Sequence, residues 1–172
     1  MEKFTGKVWV MGDDIDTDII LPTEYLVFKT IEEMKPYAFS PLREDIAKEL
    51  KNGDIIVAGN NFGCGSSREQ APEVVKALGV KCVIAKSFAR IFFRNAINNG
   101  LLLIENADLA DDVKEGDEIT VTISPGFTSW PTLWAIIFSI IVCPMISPQV
   151  FNHLNHCVFS LLLQVRLHPI FP

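Results

Sequence analysis

Three short apolar runs, Ile55-Ile56-Val57-Ala58, Cys82-Val83-Ile84-Ala85 and Leu101-Leu102-Leu103-Ile104, recur through the middle of the chain with helical patterns between them. Apolar runs of this length with no polar alternation suit strands covered on both faces. The first intervening segment carries Val74, Val75 and Leu78 and closes at Gly79. The second carries Phe88, Ile91, Phe92 and Ile97 and closes at Asn98-Asn99-Gly100. Strands separated by helices of this length predict an α/β layered domain with a largely parallel sheet. Further elements follow from local patterns. Lys7-Val8-Trp9-Val10 reads as a short strand, and Pro22 opens a short turn or helix through Tyr25. Leu42, Ile46 and Leu50 recur every four residues and predict one helix face, ending near Asn52-Gly53. Asp108 to Asp112 reads as a short turn or helix, and Glu118 to Ile123 alternates as a half-exposed strand.

The segment after the first run, Asn60-Asn61-Phe62-Gly63-Cys64-Gly65-Ser66-Ser67-Arg68-Glu69-Gln70-Ala71-Pro72, carries the chemistry. In parallel sheets ligands collect at the carboxyl ends of strands, and this loop lies at such an end. Its glycines allow tight turns. Ser66, Ser67 and Arg68 are expected on the first helical turn, where free N–H groups favour anions. A guanidinium can grip a carboxylate through two parallel hydrogen bonds. The loop thus suits a small carboxylic acid. A structural alternative stays open: Ser66 with Glu69, or Ser67 with Gln70, fits a capping box that needs no ligand.

Charge narrows the function classes. The net charge is −6, which argues against nucleic acid as a partner. The N-terminus shows no export or transit pattern, so a cytoplasmic location is expected. Cys64, Cys82, Cys143 and Cys157 form no Cys-x-x-Cys pair, and no metal site is expected on this chain. Cys82 is expected to be a buried small hydrophobe. All three histidines, His153, His156 and His168, lie late in the chain. Acid–base chemistry in the region before them must therefore use Ser, Asp, Glu, Lys, Tyr or Cys, or a base from another chain.

Four motifs together resemble the small subunits of 3-isopropylmalate dehydratase, which correspond to the swivelling domain of aconitase-type hydro-lyases. They are Gly12-Asp13-Asp14-Ile15-Asp16-Thr17-Asp18-Ile19-Ile20, Tyr25-Leu26-Val27-Phe28, the Phe62 to Pro72 loop, and Ala85-Lys86-Ser87-Phe88-Ala89-Arg90-Ile91-Phe92-Phe93-Arg94-Asn95-Ala96. The resemblance spans residues 4 to 123. It implies an α/β, layered β/β/α swivelling domain as in the aconitase C-terminal domain. It implies a separate large subunit that holds a [4Fe-4S] cluster, and a small dicarboxylic acid as substrate. The implied reaction dehydrates 2-isopropylmalate and rehydrates the alkene as 3-isopropylmalate, in leucine biosynthesis.

The resemblance also assigns roles. Ser66 would be the base that takes a proton next to a carboxylate. Arg68 would hold a substrate carboxylate, with Ser67 and Gly65 beside it. Asp18 would orient active-site groups; as a plain turn carboxylate it would only cap local backbone. Val27 and Phe28 would face the substituent that differs between substrates, where apolar side chains suit an isopropyl or methyl group. They equally suit packing of the core, and Lys29 next door can serve a more acidic substrate. Citramalate and homoaconitate remain alternative substrates. A non-catalytic carboxylate-binding module on the same fold is the reading from another class.

After Ile123 the pattern changes. Arg166 is the only charged side chain beyond Ser124, and long apolar stretches bracketed by Pro131 and Pro144 take over. Domain boundaries are therefore expected at 1–123 and 124–172, the second an atypical hydrophobic tail. The apolar stretch is shorter than the about 20 residues of a membrane-spanning helix, and a membrane partner is not expected. A frameshift, a read-through or a faulty gene reading explains the abrupt loss of charge best. A hydrophobic anchor and a partner-binding extension are the alternatives, and His153-x-x-His156-Cys157 is read as incidental.

Overall fold

The computed structural model describes residues 2–123 and the backbone of 168–169. The tail readings, with Cys143, Cys157 and the His153–Cys157 spacing, lie outside the described residues. Thr5–Ile119 form one unit. Residues 2–4, 120–123 and 168–169 fall in a second unit, which contributes the start of β1, the end of β5 and the two-residue strand β6 (His168–Pro169).

In the first unit the three apolar runs become β2 (Ile55–Ala58), β3 (Cys82–Ala85) and β4 (Leu102–Glu105). They join β1 (Glu2–Val10) in a parallel sheet of order β4-β3-β2-β1. The register pairs Val8 with Ile55, Ile55 with Cys82 and Cys82 with Leu102, so the strands end level with one another. All eight residues of β2 and β3 are buried, as unbroken apolar runs require. On the other side of β1, Val8 exchanges backbone hydrogen bonds with residues 116 and 117, just before β5 (Glu118–Ile123). In β5 Ile119, Thr120 and Val121 are buried in succession, so the expected half-exposed alternation does not occur there.

The helices and the turns between them cover the sheet through Phe39, Leu50, Val74, Val75, Phe92 and their neighbours. They are α1 (Thr17–Ile20), α2 (Ile31–Met34), α3 (Ile46–Glu49), α4 (Gln70–Ala77), α5 (Arg90–Asn98) and α6 (Ala107–Asp112). A 3₁₀ turn, Thr23–Val27, follows Pro22.

Two helices differ from the sequence expectation. The helix expected through Leu42, Ile46 and Leu50 shrinks to the single turn α3. Pro41 disfavours a helical residue before it, and Phe39 takes a left-handed φ of 59°. The chain therefore turns at 39–43, where Leu42 and Arg43 both donate to the Phe39 carbonyl, and Leu42 is left exposed. Conversely, α2 has no counterpart in the sequence reading. Its capping box is nonetheless complete: Thr30 accepts from the Glu33 N–H, and Glu33 accepts from the Thr30 N–H.

Candidate functional site

The carboxyl ends of β1, β2 and β3 open into loops that are sewn together by backbone hydrogen bonds. Gly63 donates to Ile15, Asp14 to Asn60 and Thr17 to Cys64, each at 2.7–2.8 Å. Phe62 donates to Ser87 at 3.0 Å and Ala89 returns a bond to Phe62 at 2.9 Å. Aspartates of the first loop secure the second: Asp13 accepts from the backbone and side chain of Asn60, and Asp14 accepts from the Asn61 amide. Asp16 caps α1 by accepting from the Ile19 N–H at 2.7 Å. The carboxylates of Gly12–Asp18 are therefore largely spent on holding loops. The Asn60 N–H holds the Asp13 carboxyl below the usual carboxylate range.

The glycine loop turns where the sequence demands it. Gly63 has φ 79°, and a side chain there would run into the Phe92 ring. Phe92 in turn meets Phe62 edge-on at 5.3 Å, so the loop is seated on an aromatic cluster. Gly65 has φ 89° and lies over the Thr17 hydroxyl.

Ser66 and Ser67 are both exposed in this loop. The Ser66 carbonyl is fixed twice, by the Thr17 hydroxyl at 3.1 Å and by the Arg68 N–H at 2.8 Å. The expected position on the first helical turn is corrected: α4 begins at Gln70, four residues after Ser66, and its N-cap is Glu69. Neither capping box forms, because the N-cap is Glu69 and not Ser66 or Ser67, and it makes no side-chain cap bond. Pro72 is the third helical residue and has no N–H for a cap to satisfy.

Arg68 draws the site together. Its Nη2 donates to Asp18 Oδ1 at 2.7 Å and to Thr23 Oγ1 at 2.8 Å. Its Nη1 donates to the carbonyls of Leu21 at 2.8 Å and Thr17 at 3.4 Å. The structure thus brings Asp18, Arg68 and the Ser66 loop into one cluster, although Asp18 and Arg68 stand 50 residues apart. The Thr23 hydroxyl and then Arg68 hold the Asp18 carboxyl below its ordinary range. Asp18 is more than a cap: its partners are Thr23 and Arg68, not the turn's own N–H groups. Cys64 sits beside the cluster, and burial, then Asp16 and Asp14, push its thiol upward.

The segment from Tyr25 to Phe28 divides. Val27 is 79% exposed. Phe28 is half-buried and stacks with Tyr37 at 5.6 Å and Tyr25 at 6.3 Å. Core packing therefore accounts for Phe28 but not for Val27. Lys29 is exposed, and its N–H donates to Glu33.

Sequence reasoning passed over two features. Thr23 has no motif to mark it. A cleft of about 430 Å³ lies between the glycine loop at Gly63 and Gly65 and the start of α5 at Arg90 and Arg94. Its signal was two arginines four residues apart in Arg90-Ile91-Phe92-Phe93-Arg94. Among the described residues no group of three or more His, Cys, Asp or Glu is arranged to hold a metal ion. Cys82 is wholly buried in β3, and Cys64 is partly exposed beside Asp16 and Asp14. Among the described residues no helix is long and apolar enough to cross a membrane.

A parallel sheet whose strand ends carry this loop cluster defines an aconitase C-terminal-type domain, and residues 28–109 match the aconitase C-terminal domain family. The 3-isopropylmalate dehydratase small subunit of Lachnospira eligens is 76% identical over 127 residues, covering 74% of this chain and 77% of that protein. That of Methanosarcina mazei is 54% identical over 121 residues, covering 70% and 74%. The crystal structure of 3-isopropylmalate dehydratase (leuD) from Methanocaldococcus jannaschii superposes with a TM-score of 0.68 at 47% identity, covering 70% of this chain and 71% of that one. This chain belongs to the 3-isopropylmalate dehydratase small-subunit family.

Proposed function

We propose that this chain is the small subunit of a heteromeric hydro-lyase that interconverts 2-isopropylmalate and 3-isopropylmalate by dehydration and rehydration in leucine biosynthesis. The observation that carries this reading is the Asp18–Arg68 pair locked against the Ser66 loop, in a chain 76% identical to a protein of that name. A large subunit would carry the [4Fe-4S] cluster, which supplies Lewis-acid chemistry to the substrate hydroxyl and carboxylate when bound. The residues of this chain would do the rest.

Ser66 is the base that takes the proton beside a substrate carboxylate. It is exposed and its backbone is fixed on both sides by Thr17 and Arg68, which supports a held position for Oγ. A serine hydroxyl titrates far above neutrality, so its anionic form needs strong stabilisation. The helix dipole acts mainly within the first turn, and α4 starts beyond Ser66. The Arg68 guanidinium two residues on is already paired with Asp18, so stabilisation of a Ser66 anion falls to the groups that close over it on assembly. Burial, then Asp16 and Asp14, push the Cys64 thiol upward, which disfavours its thiolate.

Arg68 also holds a substrate carboxylate, in a form the sequence does not suggest. Both terminal nitrogens already serve Asp18, Thr23, Leu21 and Thr17. A grip by two parallel bonds would require releasing some of them, whereas Nε–H remains for a single charge-assisted bond. Ser67 and Gly65 flank the carboxylate. Val27 offers an apolar surface to the isopropyl group, and an extra carboxylate closed against it by the large subunit without a partner would cost about 3 kcal/mol or more.

Reconstitution with the large subunit tests the reading. Turnover of 3-isopropylmalate that exceeds that of citramalate and homoaconitate is expected. Binding of carboxylic acids by an assembled pair without turnover would instead establish the non-catalytic module.

A further inference from the structure

We propose that Thr23 is a positioning residue for the substrate, acting through Arg68; this rests on the reading of Arg68 as the carboxylate holder. The Thr23 hydroxyl donates to Asp18 Oδ1 at 2.7 Å and accepts from Arg68 Nη2 at 2.8 Å. Arg68 Nη2 donates to the same Asp18 oxygen at 2.7 Å. The three groups close a triangle in which each side is a hydrogen bond and two of the three members are charged.

The triangle decides what the guanidinium can do. An arginine has five N–H donors. Thr23 and Asp18 take the two on Nη2, and the Leu21 and Thr17 carbonyls take the two on Nη1. Only the Nε–H is left over. With Thr23 in place, the guanidinium plane is fixed from both ends, and the direction of its remaining donor, Nε–H, is fixed with it. Without the Thr23 hydroxyl, Nη2 loses one acceptor and Asp18 loses one donor. The guanidinium is then held at Nη2 by Asp18 alone, and a shift of that half-exposed carboxylate carries Nε–H from its place.

Thr23 also ties two parts of the site together. It is the first residue of the 3₁₀ turn that ends at Val27. The hydroxyl therefore links the carboxylate holder to the segment that faces the variable substituent. A shift of one relative to the other would misplace a substrate held at both points.

Position, not general stability, is the expected contribution. Thr23 is exposed, and Arg68 retains Asp18 and two carbonyls when the hydroxyl is removed. The test uses the complex reconstituted with its large subunit, with kcat, KM and thermal midpoint measured for Thr23→Val, Thr23→Ser and Arg68→Lys. Thr23→Val is expected to raise the KM for 3-isopropylmalate about tenfold, the weight of one hydrogen bond to a charged group, with kcat changed less than about twofold. Thr23→Ser restores the hydroxyl and is expected to bring KM back within about twofold of the parent. Arg68→Lys is expected to raise KM further. If Arg68→Lys raises KM while Thr23→Val leaves it unchanged, the positioning role is overturned and the reading of Arg68 stands. If Arg68→Lys leaves KM unchanged, the carboxylate-holder reading fails and the inference falls with it. A loss in Thr23→Val confined to thermal midpoint, with KM unmoved, reduces Thr23 to a structural part and overturns the inference.

Discussion

Asp18 and Arg68 form an ion pair 2.7 Å long that joins α1 to the loop after β2. Arg68 is largely covered, with 12% of its side chain exposed, whereas Asp18 is half-open at 51%. The pair is thus a clasp with its arginine held inside and its carboxylate facing out. It fixes α1, the 3₁₀ turn and the Ser66 loop relative to one another, and it holds the Arg68 guanidinium two residues from the serine in sequence.

Replacing Ser66 by Ala isolates the chemistry from the scaffold. The loop is held by the Ser66 carbonyl, not its side chain, so the fold and assembly with the large subunit should survive. Loss of a general base is expected to lower kcat by about 10² to 10⁴. Single-turnover rates of the reconstituted pair, with gel filtration to confirm assembly, check this. Unchanged turnover would remove Ser66 from the mechanism.

Asp18→Asn keeps the shape of the side chain and removes its charge. Because half the aspartate is open to solvent, its stability cost should be modest, about 0.2–1 kcal/mol at neutral pH. The sign of the pH dependence follows from the lowered pKa. Asp18 contributes its stabilisation fully above the ordinary Asp value of about 3.9, and loses it as pH falls through the lower folded-state value. Urea midpoints of parent and Asp18→Asn should therefore differ at pH 7 and converge well below pH 4. A gap that persists unchanged into strong acid would show that the pair's charge is not its source.

How much of this was legible beforehand depended on range. β2, β3 and β4 were readable because each is an apolar run whose burial needs no partner to be specified. The α5 boundary near Gly100 was readable from local turn chemistry, and Gly100 indeed takes a φ of 70°. The helix through Leu42 failed because four-residue spacing ignores what Pro41 does to the residue before it. Missing α2 was avoidable, since Thr30-Ile31-Glu32-Glu33 spells a capping box. In the site, Ser66, Arg68 and Asp18 were each singled out, but their union was not. The contacts that unite them span 45 to 51 residues, and no local pattern encodes which acceptors a guanidinium will meet. Thr23 was invisible for the same reason.

Gly63→Ala should be among the most damaging single-atom changes in the chain. The added carbon would meet the Phe92 ring at a left-handed φ of 79°. Overpacking costs about 1–3 kcal/mol, and the backbone conformation adds about 1–2 kcal/mol. A loss of about 2–5 kcal/mol in denaturant unfolding is expected. Gly116→Ala is the control, since its φ of 94° is equally left-handed but nothing lies within 4 Å of the added carbon. A larger loss at Gly63 than at Gly116 is the mark of the Phe92 contact.

The two described cysteines should respond oppositely to thiol reagents. Burial pushes the Cys82 thiol up to about 12, and none of its surface is open. It should stay unmodified in the native protein while Cys64, which is partly exposed, reacts. Cys64 should react more slowly than free cysteine at pH 8, because burial and the neighbouring Asp16 and Asp14 disfavour its thiolate. Peptide mapping after iodoacetamide treatment distinguishes the two sites. Labelling of Cys82 at the rate of Cys64 would mean that β3 opens far more readily than its burial implies.

Val27 offers the sharpest test of substrate choice, since it is 79% exposed and lies at the end of the turn that Thr23 begins. Its removal from the core means that Val27→Arg should cost the fold little, within about 0.5 kcal/mol. An arginine at this point supplies a partner for an additional carboxylate and replaces an apolar surface suited to an isopropyl group. The ratio of kcat/KM for homoaconitate over 3-isopropylmalate should then rise by about tenfold or more. Both limbs should contribute, one through the new ion pair and one through the lost apolar contact. Competition assays with the two acids on the reconstituted Val27→Arg complex read the ratio directly. An unchanged ratio would place the substituent elsewhere, and the cleft bounded by Arg90 and Arg94 would be the next surface to alter.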